Sequence, residues 1–500
     1  MGFRAFGVLA LFGGVGYAMI SGALAHHLDH PTAVLVSGPS PFSNCHNRRS
    51  DDTSYLNSEV EPFVASNPTS LGTGRVNLVA VWQQDRLLHG LAAGIGSAFS
   101  EDGGRTWAET QLPFTSCVTG GASFNRVTDP WVSIGPDGTV YAAAVAEQNN
   151  YGVSRSVTGV LVSTSLDGGR SWSSAQMLGG TNGADKASIT ADPTRPGVAY
   201  AVWRETDIHS GDDEWISRTS DAGRTWSPQA ILIAGNKERL TVGDQIVVDR
   251  HREILYDFFD LASRTSDAHQ ACGNKAARHL CYRMVGEAQS SDVYASSIAF
   301  IRSTDGGKTW TQPRSMTRDL SAGPPDAYVP PRTGRYVPAA AISPSTGDLV
   351  VVWQDARFNH GAFDGIVEAG SRDGGKRWSR PRLVSGTVHR AFTPAVQIDF
   401  RGNIGISYYT LQAPYTSSRP LWTQYWFRCI GRTSRLARPV QLGTRFDIKT
   451  APPLSGYFVG DYEGITALHH SFEAVFVKAN TGNLDNRTDV YAIRIPSSRC

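Results

Sequence analysis

The chain has 500 residues, of which 18% are charged and 40% are hydrophobic, and its formal net charge is +2. This is the balance of an ordinary globular protein. Because positive and negative charges nearly cancel, no general attraction to nucleic acid or to an acidic membrane surface is implied. We therefore expect neither as a partner.

Residues 1–25 are typical of a secretory signal peptide. Arg4 supplies the basic flank, residues 6–20 form an apolar run, and Ala23-Leu24-Ala25 is a small-x-small cleavage site. An uncleaved membrane anchor is the alternative, although the run is short and Gly-rich for a span. We expect residues 26–500 to be one secreted, extracellular domain that is monomeric and lies outside the membrane after cleavage.

The cysteine count supports this expectation. An even number of cysteines after a signal peptide favours disulfide bonds. Cys272 and Cys281 are close in sequence and form the first predicted pair. The pairs Cys45–Cys117 and Cys429–Cys500 then follow by elimination. The 13 histidines show no metal-ligand spacing, so we predict no metal site and no required cofactor.

One eight-residue motif, Ser/Thr-x-Asp-x-Gly-x-x-Trp, occurs five times, at residues 100–107, 165–172, 219–226, 303–310 and 371–378. Asp and Ser/Thr side chains accept hydrogen bonds from nearby backbone N–H groups and favour a turn. Gly supplies the positive φ that a tight hairpin needs. The Trp is interpreted as a wedge between stacked repeats rather than as a binding platform.

Two kinds of apolar segment recur between the motifs. Seven polar openings lead into short strands, at residues 61–64, 129–132, 185–189, 244–248, 336–339, 393–396 and 460–463. A second apolar strand follows each of them. Short, regularly spaced strands predict an all-β protein built from repeated four-stranded units. The sixth unit lacks the motif, and the seventh lacks a fourth strand, which residues 32–37 are predicted to supply.

The motif resembles the Asp-box, or bacterial neuraminidase, repeat of sialidases and related β-propellers. The resemblance implies a single β-propeller of four-stranded blades. The units counted here give seven blades, with the ring closed by the N-terminal strand. Six blades, the number in sialidases, is the alternative.

Propeller geometry places the openings and the ends of the second strands at one mouth, and the motifs on the other face. The mouth is the default site for a ligand. Its side chains are rich in arginine and acids, which could instead pair with one another and hold the loops together.

The resemblance implies a sialidase active site at this mouth. Such a site needs arginines that grip a carboxylate, a tyrosine nucleophile with a glutamate base, and an aspartate acid/base. The candidate carboxylate-binding residues are Arg86, Arg204, Arg357 and Arg390. The candidate nucleophile and base are Tyr462 with Glu463, or Tyr336 with Glu205. Asp129 is the first candidate acid/base, and Asp244 is the second.

The resulting hypothesis is an exported, retaining glycoside hydrolase that cleaves terminal sialic acid or a related acidic sugar from a glycan or glycoconjugate. The first alternative is a non-catalytic propeller that binds glycan or protein. A third hypothesis is endo-glycanase or lyase action on a similar fold. The first unit contains no Arg-Ile-Pro sequence, a feature of sialidases that holds one carboxylate-binding arginine, so these alternatives stay open.

Overall fold

The computed structural model describes residues 1–2, 32–45, 54–72, 74–88, 90–148, 157–181, 183–207, 211–235, 238–265, 293–322, 331–387, 389–412, 418–453 and 456–500. The chain divides into Met1–His30 and Pro31–Cys500, and the account below concerns the second part. The predicted signal peptide, apart from its first two residues, lies outside the described residues, as does the predicted pair Cys272–Cys281. In the described part of the chain, no helix has the length and hydropathy that a membrane span needs.

The described residues of the second part form an all-β protein with three short 3₁₀ helices, at Arg357–Asn359, Ile448–Thr450 and Ser497–Arg499. The first strand is β1 (Val34–Leu35), and the others fall into seven units. Unit 1 contains β2 (Val60–Ser66), β3 (Leu78–Arg86), β4 (Ala92–Ser100) and β5 (Ala108–Gln111). Unit 2 contains β6 (Arg126–Ile134), β7 (Val140–Gln148), β8 (Val157–Ser165) and β9 (Gln176–Gly179).

The next three units repeat this arrangement. Unit 3 contains β10 (Ala184–Ala191), β11 (Ala199–Asp207), β12 (Gly211–Thr219) and β13 (Ala230–Ile233). Unit 4 contains β14 (Arg239–Asp249), β15 (Ile254–Thr265), β16 (Val293–Ser303) and β17 (Arg314–Arg318). Unit 5 contains β18 (Ala339–Ile342), β19 (Leu349–Asp355), β20 (Gly365–Ser371) and β21 (Arg382–Leu383).

The last two units complete the set. Unit 6 contains β22 (Arg390–Ile398), β23 (Ile404–Leu411), β24 (Trp422–Ile430) and β25 (Val440–Asp447). Unit 7 contains β26 (Gly464–Ala467), β27 (Ser471–Ala479) and β28 (Thr488–Pro496). Within each unit, consecutive strands pair antiparallel. Units 1 and 2 are also joined by a single pairing, Ala92 with Val127.

The N-terminal strand belongs to unit 7. Val34 pairs with Ala492, and Leu35 pairs with Tyr491, so that β1 becomes the fourth strand beside β28. The first strands of the units also contact one another in order, from β2 and β6 through to β22 and β26. The strand β26 in turn contacts β2. The short N-terminal strand therefore covers the edge of β28, which would otherwise present unpaired backbone groups.

Each Asp box folds through its own side chains. In unit 4, Ser303 Oγ donates to Asp305 Oδ1 (2.8 Å) and accepts from the Gly307 backbone N (2.9 Å). Asp305 also accepts from the backbone N of Thr309 (2.9 Å) and from its hydroxyl (2.6 Å). These hydrogen bonds satisfy the polar groups of the tight turn within the motif itself. The turn therefore depends on residues that are close together in the sequence, so the motif can be recognised there.

Each box lies against the preceding unit, as the wedge interpretation predicts. Trp378 of unit 5 lies 5.9 Å from Phe258 and 5.8 Å from Phe300 of unit 4, measured between ring centroids. Gly375 has φ +77°, and a Cβ there would lie 3.0 Å from the Phe300 ring. The glycine is therefore needed both for the backbone conformation and for the close approach of the two units.

Two of the three predicted disulfide bonds are confirmed. Cys45 is bonded to Cys117, and Cys429 is bonded to Cys500. The second bond fixes the C-terminal residue to β24 of unit 6.

Candidate functional site

Five first strands share one irregularity. The pairing register shifts between Val60 and Phe63, and at the equivalent place in β6, β10, β14 and β22. One residue in each shift has positive φ, and these residues are Glu61, Asp129, Lys186, Gly243 and Thr393. A non-glycine residue in this region costs on the order of 1–3 kcal/mol, and such strain concentrates at functional sites. Because the first strands contact one another, these bulges bring charged side chains from different units together.

The centre of this group is the ammonium of Lys186. Its Nζ lies 2.8 Å from Asp461 Oδ2, 3.2 Å from Asp129 Oδ1 and 3.5 Å from Glu61 Oε1. The four residues come from units 1, 2, 3 and 7, and we call them the Lys186 cluster. Backbone N–H groups complete it, since Lys186 N donates to Asp129 Oδ2 (3.1 Å) and Asp461 N donates to Glu61 Oε1 (3.2 Å).

The carboxyls of the Lys186 cluster differ in protonation. Burial raises the pKa of the Glu61 carboxyl to about 7, against the opposing charge of Lys186. Asp461 is also buried, but the charges of Arg332 and Lys186 outweigh burial and hold its pKa well below the usual range. At neutral pH the cluster therefore contains an ionised Asp461 beside a Glu61 that exchanges its proton, which is the pattern typical of acid/base sites.

Two arginines lie beside the cluster and share one aromatic ring. The guanidinium carbons of Arg332 and Arg86 lie 4.5 Å and 4.9 Å from the centroid of Phe458. Arg332 Nε donates to Asp461 Oδ1 at 3.1 Å, and 29% of its side chain is exposed. Arg86 is buried and donates to Gln83, whose amide donates to Glu61. Arg332 and Phe458 were not predicted from the sequence.

Arg204 lies at the edge of the same region. It forms ion pairs with Asp185 and, at 3.1 Å, with Asp212. Asp185 precedes Lys186 in the chain and is partly exposed. The link between Arg204 and the cluster is therefore its ion pair with Asp185.

Arg357 and Arg390 belong to a different group of charges. Arg357 pairs with Asp355 through Nε (2.8 Å to Oδ1) and an amino group (2.7 Å to Oδ2). The charge of Arg390 acts on Asp364, which is buried and also accepts a hydrogen bond from Ser321. Each of the four arginines predicted to grip one carboxylate thus has an acidic or amide partner of its own.

Tyr462 and Glu463 have separate partners as well. The Tyr462 hydroxyl donates to the backbone O of Pro130 (2.9 Å), and its ring lies 5.1 Å from Trp131. Burial raises the pKa of Tyr462 well above its usual value. Glu463 Oε1 accepts from the Tyr409 hydroxyl at 2.7 Å. The structure thus does not hold Tyr462 against Glu463 as a nucleophile against its base.

The alternative base, Glu205, accepts from Trp203 Nε1 (3.0 Å) and from the Gly180 backbone N (3.0 Å). Trp82 and Trp353 make the equivalent bond to Gln84 (2.8 Å) and Asp355 (3.0 Å), two residues further along the strand. This repeated Trp-x-acceptor pair satisfies a buried indole N–H, which is a structural role.

Asp244, the second acid/base candidate, lies in a buried acidic group with Glu214 and Asp257. Burial and the neighbouring acids raise the pKa of all three carboxyls well above their usual values. A buried acidic group of this kind is consistent with packing between units 3 and 4. Among the described residues, no group of three His, Cys, Asp or Glu side chains is arranged to hold a metal ion.

Comparisons with known proteins support the identification of the Asp-box motif. Residues 301–312 match the family described as BNR/Asp-box repeat. No curated protein sequence matches the chain. One similar solved structure is a protein of unknown function from Dyadobacter fermentans, with 14% identity, coverage of 90% of this chain and 99% of that one, and a TM-score of 0.45.

Two other similar structures carry enzyme names. The alpha-L-arabinofuranosidase of Fusarium graminearum, solved with arabinobiose, has 12% identity, coverage of 93% and 98%, and a TM-score of 0.46. A Hadza microbial sialidase has 17% identity, coverage of 70% of this chain and 63% of that one, and a TM-score of 0.42. The matched residues contain the fourth of the five Asp boxes, so the chain carries BNR/Asp-box repeats.

Proposed function

We propose that this protein is an exported glycoside hydrolase whose active site is the Lys186 cluster, at the mouth of a closed seven-bladed β-propeller. The seven first strands that contact one another in a cycle support the blade count and the closure. Two disulfide bonds and the signal-like residues 1–25 support export.

The observation that carries the proposal is the geometry of the Lys186 cluster, in which one ammonium lies within 3.5 Å of three carboxyls from different units. In most glycosidases a carboxylic acid protonates the leaving oxygen, and a carboxylate faces the sugar carbon. Glu61, with a pKa of about 7, fits the acid. Asp461, whose pKa is held low by Arg332 and Lys186, fits the carboxylate. Lys186 holds Glu61, Asp129 and Asp461 together. Asp129 thus stays in the proposed site, and the proton-donating role passes to Glu61.

The proposed substrate is a terminal acidic sugar, and a uronic acid suits two-carboxylate chemistry better than sialic acid, which calls for a tyrosine nucleophile. Arg332 is partly exposed beside the cluster, and the buried Arg86 contacts the same Phe458 ring. A guanidinium pairs with a carboxylate through two parallel hydrogen bonds, so Arg332 is the proposed contact for the sugar carboxylate.

A non-catalytic glycan-binding propeller is the second candidate. It is favoured by Tyr462, whose hydroxyl is held by Pro130 and which therefore lacks the base that a sialidase nucleophile needs. In that case the ion pairs of the Lys186 cluster would hold the units together without performing chemistry.

The test is a screen of the secreted protein against fluorogenic glycosides of sialic acid, glucuronic acid and arabinofuranose. The wild type is compared with Asp129→Asn and Arg332→Ala, and with Asp485→Asn as an exposed control. Turnover of an acidic glycoside that Arg332→Ala weakens mainly through KM supports the proposal. Binding on a glycan array without turnover of any glycoside supports the second candidate instead.

A further inference from the structure

Unit 6 differs from units 1–5 at the connection between its third and fourth strands. Residues 431–439 form a short turn there, in which the Gly431 backbone N donates to Arg435 O (3.0 Å) and Ser434 N donates to Gly431 O (2.7 Å). The turn has no Asp-box sequence. Unit 5 is therefore not covered by a Gly turn and a Trp from the following unit, as unit 4 is by Gly375 and Trp378.

The space that a sixth box would cover is an open cleft of about 930 Å³ between units 5 and 6. Its lining includes Leu349 and Ser371, at the opposite ends of their strands from Asp355 and Gly365. The cleft thus lies on the face of the Asp boxes, away from the Lys186 cluster. We call it the box-face cleft.

The box-face cleft is strongly basic. Six arginines line it, namely Arg372, Arg377, Arg380, Arg382, Arg401 and Arg432, against the three acids Asp348, Glu368 and Asp373. Two of these acids already have partners within the protein. Glu368 pairs with Arg382 at 2.7 Å, and Asp373 accepts from Ser371 Oγ (3.0 Å) and from the Arg377 backbone N (2.8 Å) within its own box.

Three of the arginines are available to a ligand. Arg380, Arg401 and Arg432 are exposed, and in the described part of the chain they form no ion pair with an acid. This local excess of positive charge contrasts with a formal net charge of only +2 for the whole chain. Like charges gathered in one cleft repel one another unless an anion lies between them.

We propose that the box-face cleft binds an anionic polysaccharide through its sulfate or carboxylate groups. Guanidinium groups bind both anions bidentately, and the exposed Ser379 and Ser434 bring hydroxyls that suit those of a sugar chain. Nucleic acid fits less well, because single strands bind through exposed aromatic rings. The aromatic residue of the lining, Trp378, packs against Phe258 and Phe300 instead.

Fluorescence anisotropy tests the proposal with three labelled probes of equal charge: a heparin oligosaccharide, an oligogalacturonate and a single-stranded DNA. The wild type is compared with the triple variant Arg380→Ala/Arg401→Ala/Arg432→Ala. The matched control is Arg105→Ala/Arg224→Ala/Lys308→Ala, which removes the same charge from exposed box residues of units 1, 3 and 4. A thermal melt verifies that both variants are folded.

The expected result is that at least one glycan probe binds the wild type and that the cleft variant binds it about tenfold or more weakly, while the control variant is unchanged. Binding of the heparin probe alone identifies sulfate as the recognised group, and binding of the galacturonate probe identifies carboxylate. Equal losses in the two variants, DNA binding as tight as the best glycan, or no glycan binding by the wild type would each overturn the proposal.

Discussion

Lys186 Nζ lies 2.8 Å from Asp461 Oδ2, although the two residues are 275 positions apart in the chain. The contact joins unit 3 to unit 7, which are not neighbours in the chain. A buried ion pair of this kind contributes little net stability, but it is costly to break, because the remaining charge stays buried without a partner. The Lys186 cluster therefore depends on all the units that supply it.

Removal of the ammonium should destabilise the protein in a pH-dependent way. In Lys186→Met, the carboxyls of Glu61, Asp129 and Asp461 lose their shared cation, and we expect a loss of about 3–5 kcal/mol in the free energy of unfolding at neutral pH. The pKa values of Glu61 and Asp461, which the charge of Lys186 lowers, should rise, so part of the stability should return as the pH falls. Urea unfolding at two pH values measures this. A loss no larger than that of the exposed control Lys308→Met would contradict the account.

The bulge in β14, the first strand of unit 4, leads to a second prediction. Gly243 has φ +83°, and a Cβ there would lie 2.9 Å from the Cα of Val337 and 3.0 Å from the O of Tyr336, both backbone atoms of unit 5. We expect Gly243→Ala to lower the melting temperature, with a cost on the order of 1–3 kcal/mol. Gly386→Ala is the control, since no atom lies within 4 Å of its added Cβ. Equal melting temperatures for the two variants would show that the positive φ and the close backbone contact do not require a glycine at position 243.

The buried acids of units 3 and 4 predict a pH effect of known sign. Burial, followed by the charge of Glu214, raises the pKa of Asp257 well above its usual value. The folded state then holds a proton that the unfolded state releases, so stability is lost as the pH rises from the unfolded pKa towards the folded one. Asp257→Asn cannot titrate.

We therefore expect the melting temperature of Asp257→Asn minus that of the wild type to be higher at pH about 8 than at pH about 5. Differential scanning calorimetry measures the difference at both values. Asp485→Asn, an exposed aspartate, controls for the loss of a negative charge. A difference that does not change with pH would show that Asp257 is ionised in the folded protein.

The local features of this fold could be predicted from the sequence, because their hydrogen bonds are local too. Asp305 is bonded within its own box, to Ser303 and Thr309. The strand at residues 32–37 was predicted because unit 7 lacked a fourth strand, and β1 pairs with β28 at that place.

The site could be predicted only in part. The openings that contain Glu61, Asp129 and Asp461 were identified from their polar residues, but the positive φ that brings the first two to Lys186 has no unambiguous sequence signal. Arg332 pairs with Asp461, 129 positions away, and Tyr462 is held by a backbone carbonyl. Neither partner is visible in a residue pattern, so the roles of Tyr462, Arg357 and Arg390 could not be judged from residue type.

The measurement that tests the account most directly compares Glu61→Gln with the wild type on two substrates of the same sugar. One has a leaving group that needs protonation, and the other has an activated leaving group that does not. Glu101→Gln, on an exposed Asp box, is the control.

If Glu61 is the proton donor, kcat/KM for the first substrate should fall about 100-fold or more, and its decline above pH about 7 should disappear. Activity on the second substrate should be largely kept, which shows that the variant is folded. Equal activity of Glu61→Gln and the wild type on the first substrate, or no hydrolysis of either substrate by the wild type, would contradict the claim that the Lys186 cluster is a glycosidase active site.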